Sequence, residues 1–120
     1  MQEFWLPVPH AGFADKYEVS STGNIRNCLT GKILSPNWTQ KGYRQVFLFP
    51  GGGPSKVFRV HRLVLETFVG PPPPGCEADH IDRDRSNNAL SNLRWVTKSE
   101  NNKNRRDSRP TYLARIDEEI

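Results

Sequence analysis

One stretch of this chain, from Asp79 to Arg106, constrains its fold more than any other. Its residue composition and apolar pattern change several times over a short distance. The segment Glu77–Asp82 has the length of a single strand. The segment Arg83–Asn92 is charged and rich in Asn and Ser, which is typical of a loop. The segment Leu93–Thr97 alternates apolar with polar residues and includes Trp and Val, and this pattern predicts a second strand with one polar face.

A helix is expected directly after that second strand. Thr97 stands three residues before Glu100, which is the spacing of a capping box. The helix that it opens should run until Pro110 stops it. A strand, a loop, a strand and a helix in immediate succession make a ββα unit.

The first half of the chain favours short antiparallel strands. Lys16–Val19 and Ile25–Asn27 flank a turn in which Gly23 can supply the unusual backbone angle. Gly42–Phe49 alternates its side chains with a period of two, and Lys56–Val60 is expected to pair back on it across a Gly- and Pro-rich turn. These patterns predict a small, curled antiparallel sheet.

The period of the pattern changes at His61–Val69, where apolar residues recur at a spacing of four, as in a short amphipathic helix. Gly70 and the four prolines Pro71–Pro74 then end the helix and favour a stiff, extended connection. We therefore predict an α+β protein, built as one small domain or as two modules that share one core. Phe68 and Trp95 are expected in that core.

Several motifs, taken in their order along the chain, resemble the HNH nuclease family and more closely its phage and intron-encoded homing-endonuclease branch. Within the ββα unit these are Asp79-His80, Asn92-Leu93 and Asn101. Upstream, Tyr17–Asn27 and Val60–Pro71 resemble the nuclease-associated DNA-binding module that often precedes this unit. The third family position is often histidine and is asparagine here, as it is in the homing-endonuclease branch.

The resemblance implies four segments: a β-rich DNA-binding module over residues 1–70, a connection over 71–75, an HNH ββα-metal nuclease unit over 76–109 and a tail over 110–120. It also implies a metal-dependent endonuclease that nicks or cuts duplex DNA. Mg²⁺ or Mn²⁺ is expected on Asp79 and the amide oxygen of Asn101, because such ions prefer oxygen ligands and keep several waters.

His80 is expected to act as the general base, because an imidazole can accept a proton from water at neutral pH. Asp79 and His80 are adjacent, so in a strand their side chains point to opposite faces. Both can flank one phosphate only if the strand is twisted or ends there. Asn92 is expected to hold the loop and strands in place through hydrogen bonds to backbone groups.

The formal net charge of +4 favours a polyanionic partner, although ordinary surface charge would account for it equally well. The candidate DNA-binding residues form two groups along the chain. The first group, on the predicted hairpin, is Lys41, Arg44, Lys56 and Arg59; the second group, around the ββα unit, is Arg83, Arg85, Lys98, Lys103, Arg105 and Arg106. Contacts of this kind with phosphates position DNA without reading its sequence.

A non-catalytic DNA-binding protein that retains an HNH-like fold is the alternative hypothesis. The Asp-His-Asn set favours the enzyme, because a binding relic has no chemical need for it. His61 is interpreted as a structural residue at the start of a helix. Asp82 and Asp84 are interpreted as solvated loop residues rather than as additional metal ligands.

Cys28 and Cys76 are isolated, without a C-x-x-C pair, so no structural zinc is expected. The N-terminus has neither the basic start nor the apolar run of a signal peptide. No segment approaches the length of a membrane span. We therefore expect a cytoplasmic protein of a bacterial or phage-infected cell, monomeric or homodimeric, with no membrane partner.

Overall fold

The computed structural model describes residues 2–103, and within them the chain forms short strands and two helices. The elements are β1 (Trp5–Pro7), β2 (Tyr17–Ser20), β3 (Ile25–Asn27), β4 (Asn37–Trp38), β5 (Arg44–Leu48), β6 (Lys56–Arg59), α1 (Val60–Phe68), β7 (Cys76–His80), a 3₁₀ turn (Leu90–Asn92), β8 (Leu93–Thr97) and α2 (Lys98–Lys103). The α+β class predicted from the sequence is confirmed. The predicted end of the last helix at Pro110 and the tail lie outside the described residues.

The strands form three antiparallel sheets, ordered β1-β2-β3, β4-β5-β6 and β7-β8. In the last of these, Asp79 lies opposite Arg94 and His80 lies opposite Leu93. The prediction placed the end of the first ββα strand at Asp82, which is wrong by two residues. The strand ends at His80 because Arg83 has a positive φ of 64° and its backbone N–H returns to the carbonyl of His80 at 3.0 Å, which closes a turn.

Helix α1 lies between the sheets and packs against strands of all three. Its apolar face is the one that the sequence periodicity predicted, and burying each Leu or Val there contributes about 1.5–3 kcal/mol relative to exposure. The main members of the resulting cluster are Val8, Val19, Ile25, Val46, Leu48, Leu63, Leu65, Leu93 and Trp95. The two halves of the chain therefore share one core, and the division at residues 71–75 stays a prediction.

Strand β8 is buried on both of its faces, which corrects the expectation of a polar face. Leu93 and Trp95 lie in the core as predicted, and the Trp95 indole N–H donates to the Gly70 carbonyl at 3.1 Å. On the other face, Arg94 is only 1% exposed. Helix α2 packs on this face through Asn101, so the polar residue Arg94 is buried together with Val96. Phe68 is half-buried rather than fully buried against the core.

The capping box at the start of α2 is confirmed. The backbone N–H of Glu100 donates to Thr97 Oγ1 at 3.1 Å, and the backbone N–H of Thr97 donates to Glu100 Oε1 at 3.0 Å. This reciprocal pair satisfies donors that the helix start would otherwise leave open, and it turns the chain back over β7 and β8. Neither helix in the described part of the chain has the length and apolarity needed to span a bilayer.

Candidate active site

His80 occupies the last position of β7 and is 5% exposed. Its Nε2 atom lies 2.8 Å from Oδ1 of Asn88, which is also buried, in the loop between β7 and β8. An amide oxygen can only accept a hydrogen bond, so in the neutral ring the hydrogen lies on Nε2 and the lone pair on Nδ1. Asn88 therefore sets both the orientation and the tautomer of His80.

Two further rings stack on His80 and come from distant parts of the chain. The centroid of His61, on α1, lies 4.7 Å from that of His80. Tyr43, just before β5, is nearly parallel to His61 at 5.1 Å. Tyr43 is held by the hairpin, since its N–H donates to Thr39 Oγ1 at 3.0 Å and its carbonyl accepts from the Thr39 N–H at 2.7 Å. Helix α1 and two of the three sheets, β4-β5-β6 and β7-β8, thus meet at one stack of rings.

Burial keeps both histidines in the neutral form. Desolvation, followed by the charges of His80 and of nearby arginines, lowers the pKa of His61 to about 3. Desolvation also lowers the pKa of His80, although the hydrogen bond that its ring donates to Asn88 and the charge of Asp79 act in the opposite direction. A neutral imidazole is the form that accepts a proton, so His80 is in the state that a general base requires at pH 7.

Asp79 points to the other face of β7, towards α2, because adjacent strand residues face opposite ways. Its Oδ2 accepts a hydrogen bond from the buried guanidinium of Arg94 at 2.9 Å. On the same face, Glu77 Oε1 accepts from Nδ2 of Asn101 on α2 at 2.8 Å. The structure therefore brings Asp79 and Asn101 to one side and His80 to the other. The side chains of Asp79 and His80 can both flank one phosphate if the strand is twisted or ends there. The strand does end at His80, so the second of these conditions is met.

The side chains on this face fit a divalent cation. Glu77 engages the nitrogen end of the Asn101 amide, which leaves Oδ1 as the end directed away from that contact. A carboxylate and an amide oxygen are hard ligands of the kind that Mg²⁺ and Mn²⁺ prefer. Within residues 2–103 no group of three or more His, Cys, Asp or Glu side chains is arranged to hold a metal.

The loop that carries Asn88 is braced from within by its own side chains. Asn92 Oδ1 accepts from the Asp82 N–H at 3.0 Å, and Asn92 Nδ2 donates to Asp82 Oδ1 and to the Asn87 carbonyl, each at 2.9 Å. The carboxylate of Asp84 accepts from the N–H of Ser86 at 2.9 Å. These contacts hold the loop against the end of β7 and engage the carboxylates of Asp82 and Asp84 within it.

The two predicted groups of basic residues meet at Tyr43. The guanidinium carbon of Arg59, from the hairpin group, lies 5.1 Å from the centroid of the Tyr43 ring, and that of Arg85, from the ββα group, lies 4.5 Å from it. Arg85 also donates to the carbonyl of Lys41. A cation over an aromatic face is attracted by the quadrupole of the ring. The basic surface is therefore continuous beside the ring stack.

The other predicted basic residues lie farther from this stack. Arg44 covers the ring of Trp38 at 4.5 Å, and Lys56 lies 5.3 Å from the ring of Phe58. Arg83 and Lys98 are exposed. The side chain of Lys103, and Arg105 and Arg106, lie outside the described residues.

Sequence reasoning missed the partners of the site. It assigned His61 a structural role, included Asn88 only as part of the predicted loop Arg83–Asn92, and gave no role to Glu77, Arg94 or Tyr43. The one signal available was an arginine flanked by Leu93 and Trp95, because an arginine that packing buries needs a carboxylate or carbonyl partner.

A strand pair joined by a polar loop, with Asp-His at the end of the first strand and Asn on the helix that follows, defines the ββα unit of HNH-type nucleases. Residues 58–103 match the sequence model of the HNH endonuclease family, and residues 3–49 match the NUMOD4 motif. The chain therefore contains an HNH endonuclease unit preceded by a NUMOD4 motif. The match begins within β6, upstream of the proline-rich connection at which the sequence placed a boundary.

The chain is similar to proteins of phage and giant-virus origin. It is 40% identical over 93 residues to the DNA endonuclease I-HmuI of Bacillus phage SP01. The aligned region covers 78% of this chain and 53% of that protein. It is 42% identical over 101 residues to an HNH endonuclease of Acanthamoeba polyphaga mimivirus, covering 82% of this chain and 25% of that protein. The chain thus spans about half the length of the phage relative and about a quarter of the mimivirus one.

A solved structure is similar as well. It describes DNA binding and cleavage by the HNH homing endonuclease I-HmuI, and it superimposes with a TM-score of 0.75 at 37% identity, covering 85% of this chain and 57% of the other. The predicted resemblance to the homing-endonuclease branch is therefore confirmed. Members of the HNH endonuclease family generally depend on a divalent metal.

Proposed function

We propose that this chain is a metal-dependent DNA endonuclease of the HNH homing type, which hydrolyses phosphodiester bonds in duplex DNA. The observation that carries the proposal is the state of His80. It is buried at the end of β7, neutral, and oriented through Nε2 by Asn88. On the opposite face of the same strand end lie the carboxylate of Asp79 and the amide of Asn101, which supply the oxygen ligands that a catalytic cation would need. The phage relative is described as a DNA endonuclease.

In this proposal the described side chains divide the chemistry between the two faces of β7. Nδ1 of His80 accepts the proton of the attacking water, because Nε2 is already committed to Asn88. Asp79 and Oδ1 of Asn101 hold a Mg²⁺ or Mn²⁺ ion. When bound, the ion neutralises charge at the phosphate and stabilises the leaving 3′ oxygen. Glu77 keeps the amide of Asn101 in the orientation that this role requires.

The basic surface beside the ring stack would hold the DNA backbone. Arg59 and Arg85 flank Tyr43, whose ring centroid is 6.2 Å from that of His80, so a phosphate bound there lies close to the base. Phosphate contacts of this kind fix register without reading sequence. Because one ββα unit carries one site, a single chain would cut one strand at a time, and cutting both strands would need two chains or two encounters.

The test is incubation of supercoiled plasmid with the protein and Mg²⁺ or Mn²⁺, with a matched reaction in EDTA. Nicked or linear product with metal and none with EDTA is expected. His80→Ala should slow cleavage by roughly 10²–10⁴-fold, the usual contribution of a general base, while its DNA binding stays near wild type. Salt-sensitive DNA binding without cleavage in any divalent metal would instead establish a non-catalytic DNA-binding protein.

A further inference from the structure

The turn between β2 and β3 touches the loop that orients His80, although the two lie far apart in the sequence. A Cβ atom added to Gly23 would lie 2.7 Å from the carbonyl oxygen of Asn88 and 2.9 Å from its Cβ. The backbone N–H of Leu90, two residues farther along the loop, donates to the carbonyl of Ser21 at 2.8 Å. The turn and the loop are therefore in direct backbone contact at Asn88 itself and two residues beyond it.

The turn is built to keep its shape at this contact. Ser20 is fully buried, and its Oγ accepts from the N–H of Asn24 at 2.9 Å and from that of Thr22 at 3.3 Å. The Gly23 N–H donates to the Ser20 carbonyl at 3.1 Å, and Gly23 itself has a φ of +95°. Glycine is needed here both for the positive φ and because no side chain fits against Asn88.

A single hydrogen bond separates this contact from His80, since Oδ1 of Asn88 accepts from Nε2 of His80 at 2.8 Å. We propose that the β2–β3 turn is a support of the catalytic base, with Gly23 and Asn88 as positioning residues that set where His80 points. The N-terminal module then contributes to the chemical step as well as to DNA binding. This inference rests on the proposed function, in which His80 is the base.

The size of the effect follows from the geometry. A side chain at Gly23 must push the Asn88 backbone away, because contacts shorter than 3.0 Å with backbone atoms cannot be relieved by a rotamer change. A displacement of about 1 Å in a catalytic array costs on the order of 100-fold in rate. Arg59 and Arg85 are held over the ring of Tyr43, so DNA affinity should change much less than the rate does.

The kinetic test compares Gly23→Ala and Asn88→Ala with Gly31→Ala in the full chain. Gly31 has a φ of +73° in the next turn but nothing within 4 Å of an added Cβ, so it controls for backbone strain alone. Gly23→Ala should lower kcat for plasmid cleavage about 10–100-fold at unchanged KM, and Gly31→Ala should not. Because Gly23 acts through Asn88, the double variant should be no slower than Asn88→Ala alone.

A spectroscopic readout separates this inference from the proposed function. The imidazole nitrogen resonances of His80, identified by their loss in His80→Ala, report the Nε2–H tautomer at pH 8. This signature should be present in the wild type and in Gly31→Ala, and it should weaken in Asn88→Ala and Gly23→Ala whether or not the protein cleaves DNA. If Gly23→Ala does not fold, Ser20→Ala loosens the turn without adding an atom and should weaken the signal to a lesser extent.

Several results would overturn the inference. A Gly23→Ala protein that folds and keeps the wild-type His80 resonances and kcat would show that the turn does not position the base. Equal kinetic losses in Gly23→Ala and Gly31→Ala would assign the effect to strain in the sheet. Unaltered His80 resonances in a folded Ser20→Ala protein would count against the support in the same way. If the wild type does not cleave DNA but the His80 resonances still weaken in Gly23→Ala and Asn88→Ala, the proposed function is rejected. The positioning of His80 by the turn is then still supported.

Discussion

Acid should destabilise this fold through a buried histidine. Burial lowers the pKa of His61 to about 3, whereas a histidine in an unfolded chain titrates near 6.5. The folded state therefore resists protonation more than the unfolded state does. The stabilisation is fully present above pH 6.5 and is lost progressively as the pH falls from 6.5 towards 3. His80, whose pKa is lowered in the same direction, adds to the loss.

The magnitude follows from the size of this shift. Each pH unit below 6.5 costs about 1.4 kcal/mol as long as the folded ring stays neutral. Lowering the pH from 8 to 5 should therefore remove about 2 kcal/mol through His61 alone. The ring is only 7% exposed, so solvent screens this effect little. A loss of this size is a large part of the roughly 5–15 kcal/mol that stabilises a typical domain.

The assay is urea unfolding at pH 8 and at pH 5 for the wild type and for His61→Gln, which replaces the ionisable ring of His61 with a neutral amide. The variant should lose about 2 kcal/mol less stability between the two pH values than the wild type does. His10→Gln is the matched control, because it removes a histidine and leaves the ring stack in place, so the wild-type loss should persist. An undiminished loss in His61→Gln would refute the assignment of a buried, neutral ring.

Three further predictions follow from burial and charge. Trp95→Ala should reduce the free energy of unfolding by about 3–5 kcal/mol and Phe68→Ala by less, because Phe68 is half-buried; equal melting temperatures would contradict this. Asp79→Ala breaks the ion pair with the buried Arg94, so it should lower stability by up to about 3–5 kcal/mol in addition to weakening metal binding; wild-type thermal unfolding would argue against the pair. The cleavage rate should increase with pH over a range that lies below pH 6.5, because the pKa of His80 is lowered. This increase should be absent in His80→Ala. An increase centred above pH 7 would place the base elsewhere.

Local sequence signals located most of the elements of this fold, although they did not predict β1 or β4 and indicated one sheet in the first half where the structure has two. The spacing of Thr97 and Glu100 located the start of α2, and the alternation of Leu93–Thr97 located β8 at its observed bounds. The four-residue apolar spacing placed α1 within one residue of its observed start at Val60. These signals work because capping, turns and amphipathic faces depend on residues only a few positions apart.

Local signals were not enough to predict which faces of strand β8 are buried. The alternating pattern of β8 indicated a polar side, and only the packing of α2 showed that this side is buried. A buried polar group must find a partner, which makes a partner for Arg94 obligatory. Asp79 is that partner because the register of β7 against β8 places it opposite Arg94. No spacing along the chain encodes this register.

The sequence by itself determined the α+β class, the ββα order of the second half and the family resemblance, because each rests on residues that are close neighbours in the chain. The tertiary structure decided the surroundings of the candidate base: the stack of His61 on His80, and the approach of Gly23 to Asn88. These contacts join segments that are distant in sequence, and they form only where α1 packs between all three sheets and brings their loops together. Apolar periodicity specifies which faces must be covered, while packing in three dimensions selects what covers them.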